Sequence, residues 1–142
     1  MRNILACPTI ACLAIGCLAL TACVTSPDAA SQFDGTYTGT SMLTRGTTGW
    51  CGPDNVPAAV TISGGRFAYP FPITGVITPV VVQAQLRADG TFSGGTQYLE
   101  PEPGPFRGPL ASVTLAGHIA NGTLDAQIDS VNCGRHLSLR PG

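Results

Sequence analysis

From Phe33 onward, apolar and polar side chains alternate in short runs, and turn-forming residues separate the runs. No segment sustains the 3.6-residue apolar period of an amphipathic helix, while valine, threonine and glycine are frequent, so the pattern predicts short β-strands joined by turns. Because successive strand side chains point to opposite faces, each turn can be tested by the register that gathers apolar residues on one face. A two-residue turn at Gly64-Gly65 predicts Ile62 opposite Phe67 and Val60 opposite Tyr69, with Thr61 and Ala68 on the other side. At Asp89-Gly90 a two-residue turn scrambles the faces. A type I turn over Ala88-Asp89, with Gly90 in the left-handed bulge position, instead pairs Leu86 with Phe92, Ala84 with Gly94, Val82 with Thr96 and Val80 with Tyr98. At Asn121-Gly122 the tight type I′ turn wins, pairing Ile119 with Leu124, Gly117 with Ala126 and Leu115 with Ile128.

Two further strands flank these hairpins. "FDGTYTGTSML" directs Phe33, Tyr37 and Leu43 to one face, and "GRHLSLRP" directs Leu137 and Leu139 inward with His136, Ser138 and Arg140 outward. The expectation is an all-β domain of about eight short antiparallel strands in hairpin order. An up-and-down barrel closes it most simply because closure removes exposed edges, and a β-sandwich is the alternative. The longest loops fall at 44–58 and 99–110.

The first 22 residues follow a different pattern. Arg2 precedes an apolar run from Ile4 to Ala22, broken only by Pro8, Thr9 and Thr21, which is the plan of a secretory signal. The run is nearly long enough for an uncleaved anchor helix, the competing reading. Its last four residues, Leu20-Thr21-Ala22-Cys23, resemble the bacterial lipobox, where cleavage precedes a cysteine whose thiol receives diacylglycerol. That resemblance implies a signal peptide at 1–22, a lipidated tether at 23–32 and a β-domain at 33–142. It also implies a partner in the membrane itself, reached through lipid on Cys23, since two or more acyl chains anchor stably. Val24, rather than aspartate, follows the cysteine, which by the same resemblance favours the outer membrane, facing the periplasm. The cysteine count then simplifies. Cys7, Cys12 and Cys17 leave with the signal and Cys23 carries lipid, so Cys51 and Cys133 remain as one candidate disulfide in an oxidising compartment. A bond across so long a loop restricts the unfolded chain by roughly 4–5 kcal/mol as an upper figure. The turn rhythm of "FDGTYTGT", "DGTFSG" and "GHIANGTLDA" is similar to that of small exported β-rich proteins of proteobacteria.

Composition narrows the chemistry. Residues 23–142 hold six arginines, no lysine and eight acidic residues, a balance of 6 − 8 = −2. Nothing in it forms the basic patch that nucleic acid requires, and without lysine neither Schiff-base nor P-loop chemistry is available. The tight register at Asn121-Gly122 sets His118 opposite Asp125, a pair readable as a general base or, more plainly, as a surface cross-strand contact. Asp125 and Asp129 on the same strand stand roughly 13 Å apart, too far for a glycosidase pair. No cofactor is implied, and two histidines without metal-ligand spacing argue against a metal centre. Trp50, beside Cys51 in "TRGTTGWCGPDN", is the most distinctive residue: either a partner contact, or a cap whose indole N–H meets a carbonyl. The reading is a lipid-anchored, non-enzymatic envelope protein acting as a protein-interaction or inhibitor module. The alternative is a carrier of a small hydrophobic ligand, the inward Gly35, Gly39, Ala84, Gly94, Gly117 and Ala126 leaving room inside.

Overall fold

The computed structural model describes residues 29–76, 78–101 and 108–142. The signal segment and Cys23 lie outside them. A 3₁₀ turn, η1 (Ala29–Phe33), leads into eight strands: β1 (Gly35–Arg45), β2 (Asn55–Ile62), β3 (Arg66–Phe71), β4 (Val80–Leu86), β5 (Thr91–Leu99), β6 (Leu110–Ala120), β7 (Thr123–Ser130) and β8 (Gly134–Pro141). A four-residue helix, α1 (Thr48–Cys51), sits between β1 and β2. All eight strands are antiparallel members of one sheet in the order β2-β1-β8-β7-β6-β5-β4-β3, so the meander curls until its first and last strands pair. The architecture is the expected nearly closed barrel, not the sandwich.

Alternation builds the core. Every second residue of β3 and β4 is buried, as is the same phase of β6 apart from half-buried Gly117, and the fully buried set includes Val82, Leu115, Leu124, Ile128, Leu137 and Leu139. Tyr37, Phe67, Phe92 and Tyr98 all turn inward and are at most 7% exposed, with Phe67 and Phe92 meeting edge to face at 5.2 Å. The glycines do not leave the interior room expected of them: Gly35 and Gly39 are exposed, and the space beside Gly94 and Gly117 is already filled. A Cβ at Gly94 would strike the Gln83 carbonyl, and one at Gly117 would strike the Asp125 carbonyl, because the neighbouring strand fills the space. The missing side chains are used for tight coiling of the sheet.

The turns are as read, with corrections to how far two ladders run. Asn121 (φ 51°) and Gly122 (φ 73°) make the tight turn, and Ile119↔Leu124, Gly117↔Ala126 and Leu115↔Ile128 all pair. Gly90 (φ 83°) takes the bulge position and Leu86↔Phe92 and Ala84↔Gly94 pair, but the ladder stops at Gln83↔Gly95, short of Val82–Thr96 and Val80–Tyr98. At Gly64-Gly65 the two-residue turn forms, with Ser63 and Arg66 exchanging both backbone bonds at 2.9 and 3.1 Å. Beyond that bridge β2 and β3 separate, and neither Ile62–Phe67 nor Val60–Tyr69 is a ladder pair.

Proline accounts for the far part of this seam. Counting from the Ser63–Arg66 bridge, the next hydrogen-bonded positions pair 61 with 68, 59 with 70, and 57 with 72. Residues 57, 70 and 72 are all proline, so three of the four N–H donors in the last two pairs do not exist. The same prolines point their missing donors into the seam, which leaves β1–β2 and β3–β4 intact. Residues 55–58, assigned to a loop by the sequence reading, accordingly extend β2.

The two ends differ. One carries the three tight turns and is covered by η1: Ala30 packs over Gly65, Gln32 donates to the Ala88 carbonyl at 3.0 Å, and the Asp34 carboxylate accepts from Gly64 and Gly65 N–H. Residues 29–32, expected within the tether, thus lie against the barrel. The chain toward Cys23 leaves from this end. The opposite end carries α1, the β3–β4 and β5–β6 connections and the β7–β8 turn.

Candidate functional site

The loop end is assembled around Arg135. Alternation from Leu137 and Leu139 places it inward, and it is fully buried at 0% exposure. A buried guanidinium must find acceptors for its fork of N–H donors. Nε donates to Ser41 Oγ at 2.8 Å and Nη1 to the Cys51 carbonyl at 2.9 Å. Nη2 donates to the carbonyls of Ser41 (2.9 Å) and Pro53 (2.8 Å). Burial draws the Arg135 pKa down, opposed by the Tyr69 and Asp54 side chains, while burial pushes the Tyr69 hydroxyl up. Arg135 therefore acts as an internal strut: from β8 it holds β1 and the segment 51–53.

The segment is fastened from other directions too. Cys51 and Cys133 form the expected disulfide, with Cα atoms 5.6 Å apart, and it joins the loop after β1 to the turn before β8. The Thr47 carbonyl accepts from Trp50 and Cys51 N–H, and the Trp50 carbonyl accepts from Thr74 N–H at 2.9 Å. Gly46, at φ 106°, passes so close to the disulfide and the Asn132 carbonyl that a Cβ would collide with both. Arg45 fixes the β7–β8 turn, donating to the carbonyls of Val131 (2.7 Å) and Ser130 (2.6 Å) and approaching Asp129 at 3.4 Å.

Between these pinned segments lies an open depression of about 420 Å³, lined by Gly46, Thr47, Trp50, Cys51 and Asn132. Trp50 is half-buried and packs against the core, so it both covers the barrel end and forms a wall of the depression. Its indole N–H is buried without an acceptor, contrary to the carbonyl contact expected of a cap. Asn132 donates to Glu100 Oε1 at 2.8 Å, bringing a carboxylate from the β5–β6 connection to the rim. Leu99, Leu110 and Val131 around Glu100 and Asn132 are 41, 62 and 66% exposed, and Leu99 and Leu110 are cross-strand partners.

Comparison of the chain with protein-family models, with curated proteins and with solved structures finds no match. What it does must be argued from the loop end itself.

The remaining candidate residues are placed elsewhere. His118 and Asp125 are the backbone partners expected, yet no hydrogen bond joins their side chains. Asp125 Oδ2 instead meets His136 Nε2 at 3.0 Å, across β7–β8, and the contact is half-exposed on the convex wall. The β7–β8 register pairs Gln127 with His136, so the Asp125 contact is a diagonal one. Reading it from sequence requires that register, which the two-residue Val131-Asn132 connection sets through the Ser130 N–H bond to the Cys133 carbonyl, without the glycine that marks the other turns. Arg135 was missed as well, although a signal existed: the inward phase of Leu137 and Leu139 runs straight back to it. Among the described residues no three His, Cys, Asp or Glu side chains converge.

Proposed function

We propose that this is a lipid-anchored cell-envelope protein, non-enzymatic, that presents its loop end to a protein partner or a foreign hydrolase. The observation that carries the reading is the asymmetry of the barrel. The chain toward Cys23 leaves from the tight-turn end, whereas the pinned loops and Trp50 occupy the far end. An anchor at Cys23 holds the domain close to a membrane with these loops outward. A half-buried tryptophan on a rigid frame suits recognition, because little conformational entropy is lost when it is covered. The filled interior supports this surface reading over a ligand carried inside, and the exposed His136–Asp125 contact on a convex wall supports a non-enzymatic role.

Two experiments test it. Cys23→Ala is expected to abolish incorporation of labelled fatty acid and release the domain from membranes; full labelling of that variant would refute the anchor. A photo-crosslinking side chain at Thr47 is expected to give a reproducible adduct in cells, and the same group at Ser63, on the tight-turn end, none. Equal adducts from both positions, or none from either, would remove the case for a docking face.

A further inference from the structure

We infer that the segment received at the loop end is a basic one, with lysine or arginine side chains set among apolar residues. The inference rests on the docking reading above and adds the partner's chemistry. Three features of the surface point to it. The first is charge. Among the described residues of this end the carboxylates are Asp54, Glu100 and Asp129 and the accessible cation is Arg45, whose guanidinium is committed to the Val131 and Ser130 carbonyls and to Asp129. Arg135 is buried under carbonyl oxygens and presents no charge outward. The exposed balance among the described residues of this end is therefore 1 − 3 = −2, to which Glu102 and Arg107 of the intervening sequence add one charge of each sign, and acidic rims raise both the arrival rate and the selectivity of basic partners.

The second is where those carboxylates stand. Glu100 reaches the depression through Asn132, which lines it, and Asp129 is bridged to Arg45, immediately before lining residue Gly46. Trp50 lines the same depression, and an indole attracts a cation brought within about 6 Å of its ring. The third is the apolar rim of Leu99, Leu110 and Val131, which are three of the five exposed large apolar side chains among the described residues. Scattered exposed apolar residues are ordinary, but a cluster at one loop end marks an interaction surface. A partner strand added along the open seam is disfavoured, because Pro57, Pro70 and Pro72 remove three of the donors that such a strand needs.

The test uses the full lipidated chain in zwitterionic nanodiscs, with Trp50, the only tryptophan, as the reporter. Three capped heptapeptides are titrated, alternating leucine with arginine, with glutamine or with glutamate. The arginine peptide is expected to change Trp50 emission saturably, and 0.5 M salt to weaken it about tenfold or more. Glu100→Gln, which keeps an acceptor for Asn132, and Asp54→Asn are each expected to weaken it about fivefold. Asp89→Asn, at the other end of the barrel, is expected to leave it unchanged. If the glutamine peptide matches the arginine peptide, the loop end docks apolar segments and the basic requirement is wrong. If no peptide responds while the Thr47 photo-crosslink forms in cells, the partner is not basic and this inference fails alone. If neither is seen, the docking reading fails with it.

Discussion

Arg135 is the only charged side chain among the described residues to be buried completely, and it has no carboxylate within hydrogen-bonding distance. Carbonyls of Ser41, Cys51 and Pro53 solvate it, so removing the guanidinium orphans several buried acceptors at once. Each orphaned buried acceptor costs about 1–3 kcal/mol, and partial collapse recovers some of that. Arg135→Met is therefore expected to lower stability by about 3 kcal/mol or more in urea unfolding. Arg135→Lys should recover less than half of the loss, since an ammonium cannot span a planar fork of acceptors. Asp89 makes a prediction of a different kind. Its carboxylate accepts from Thr91 N–H (2.9 Å) and Thr91 Oγ1–H (2.7 Å), and chiefly the hydroxyl bond holds its pKa below the ordinary 3.8. A depressed folded pKa means that the stabilisation is complete above the unfolded value and is lost as pH falls through the folded one. The melting-temperature gap between the native chain and Asp89→Ala should thus be open at pH 6 and close at pH 2. A gap that stays constant over that range would show that the carboxylate charge contributes nothing.

At the scale of strands, glycines and prolines carry the shape. Gly94→Ala and Gly117→Ala each press a methyl group into the carbonyl of the adjacent strand, at Gln83 and Asp125. Neither backbone can retreat without breaking ladder bonds, so a loss of about 2–3 kcal/mol is expected for each by denaturant titration. The seam makes the opposite prediction. In the native chain the Ala59 amide faces a proline across the gap, and hydrogen exchange there should be much faster than at Val82 or Leu115 in the middle of the sheet. If Ala59 exchanges as slowly as those residues, β2 and β3 are paired in solution. These elements also show what was legible beforehand. Strand count, alternation and all three turn types were readable because each depends on residues within about ten positions of one another. The length of the β2–β3 ladder was not read, although Pro57, Pro70 and Pro72 were in view, because two-residue periodicity says which face a residue takes and not which donors it lacks. The His136–Asp125 contact needed the β7–β8 register, which is set by the Val131-Asn132 connection, a turn that no central glycine marks in the sequence. Trp50 was recognised as distinctive, but its partial burial depends on how α1 folds over the barrel end.

For the molecule as a whole, two different devices tie the same segment to β8, and they act on different states. The Cys51–Cys133 bond spans 82 residues and restricts chiefly the unfolded chain, by roughly 4–5 kcal/mol at most. The Arg135 bond to the Cys51 carbonyl, the Trp50–Thr74 bond and the Leu43–Asp54 bond exist only in the folded state and do not depend on the disulfide. Barrel closure is independent again, since β1 and β8 pair along Tyr37–Arg45. Replacing both cysteines by alanine should therefore lower the unfolding free energy substantially, up to that figure, while leaving the native molecule nearly unchanged. Far-UV circular dichroism and the folded-state emission of Trp50 would read the two parts separately. Unaltered emission with a lowered urea midpoint is the expected result, because α1 stays in place through Arg135. A red shift of Trp50 in the folded baseline would mean instead that the disulfide positions the loop end itself. In that case reduction, and not only unfolding, would dismantle the proposed docking face.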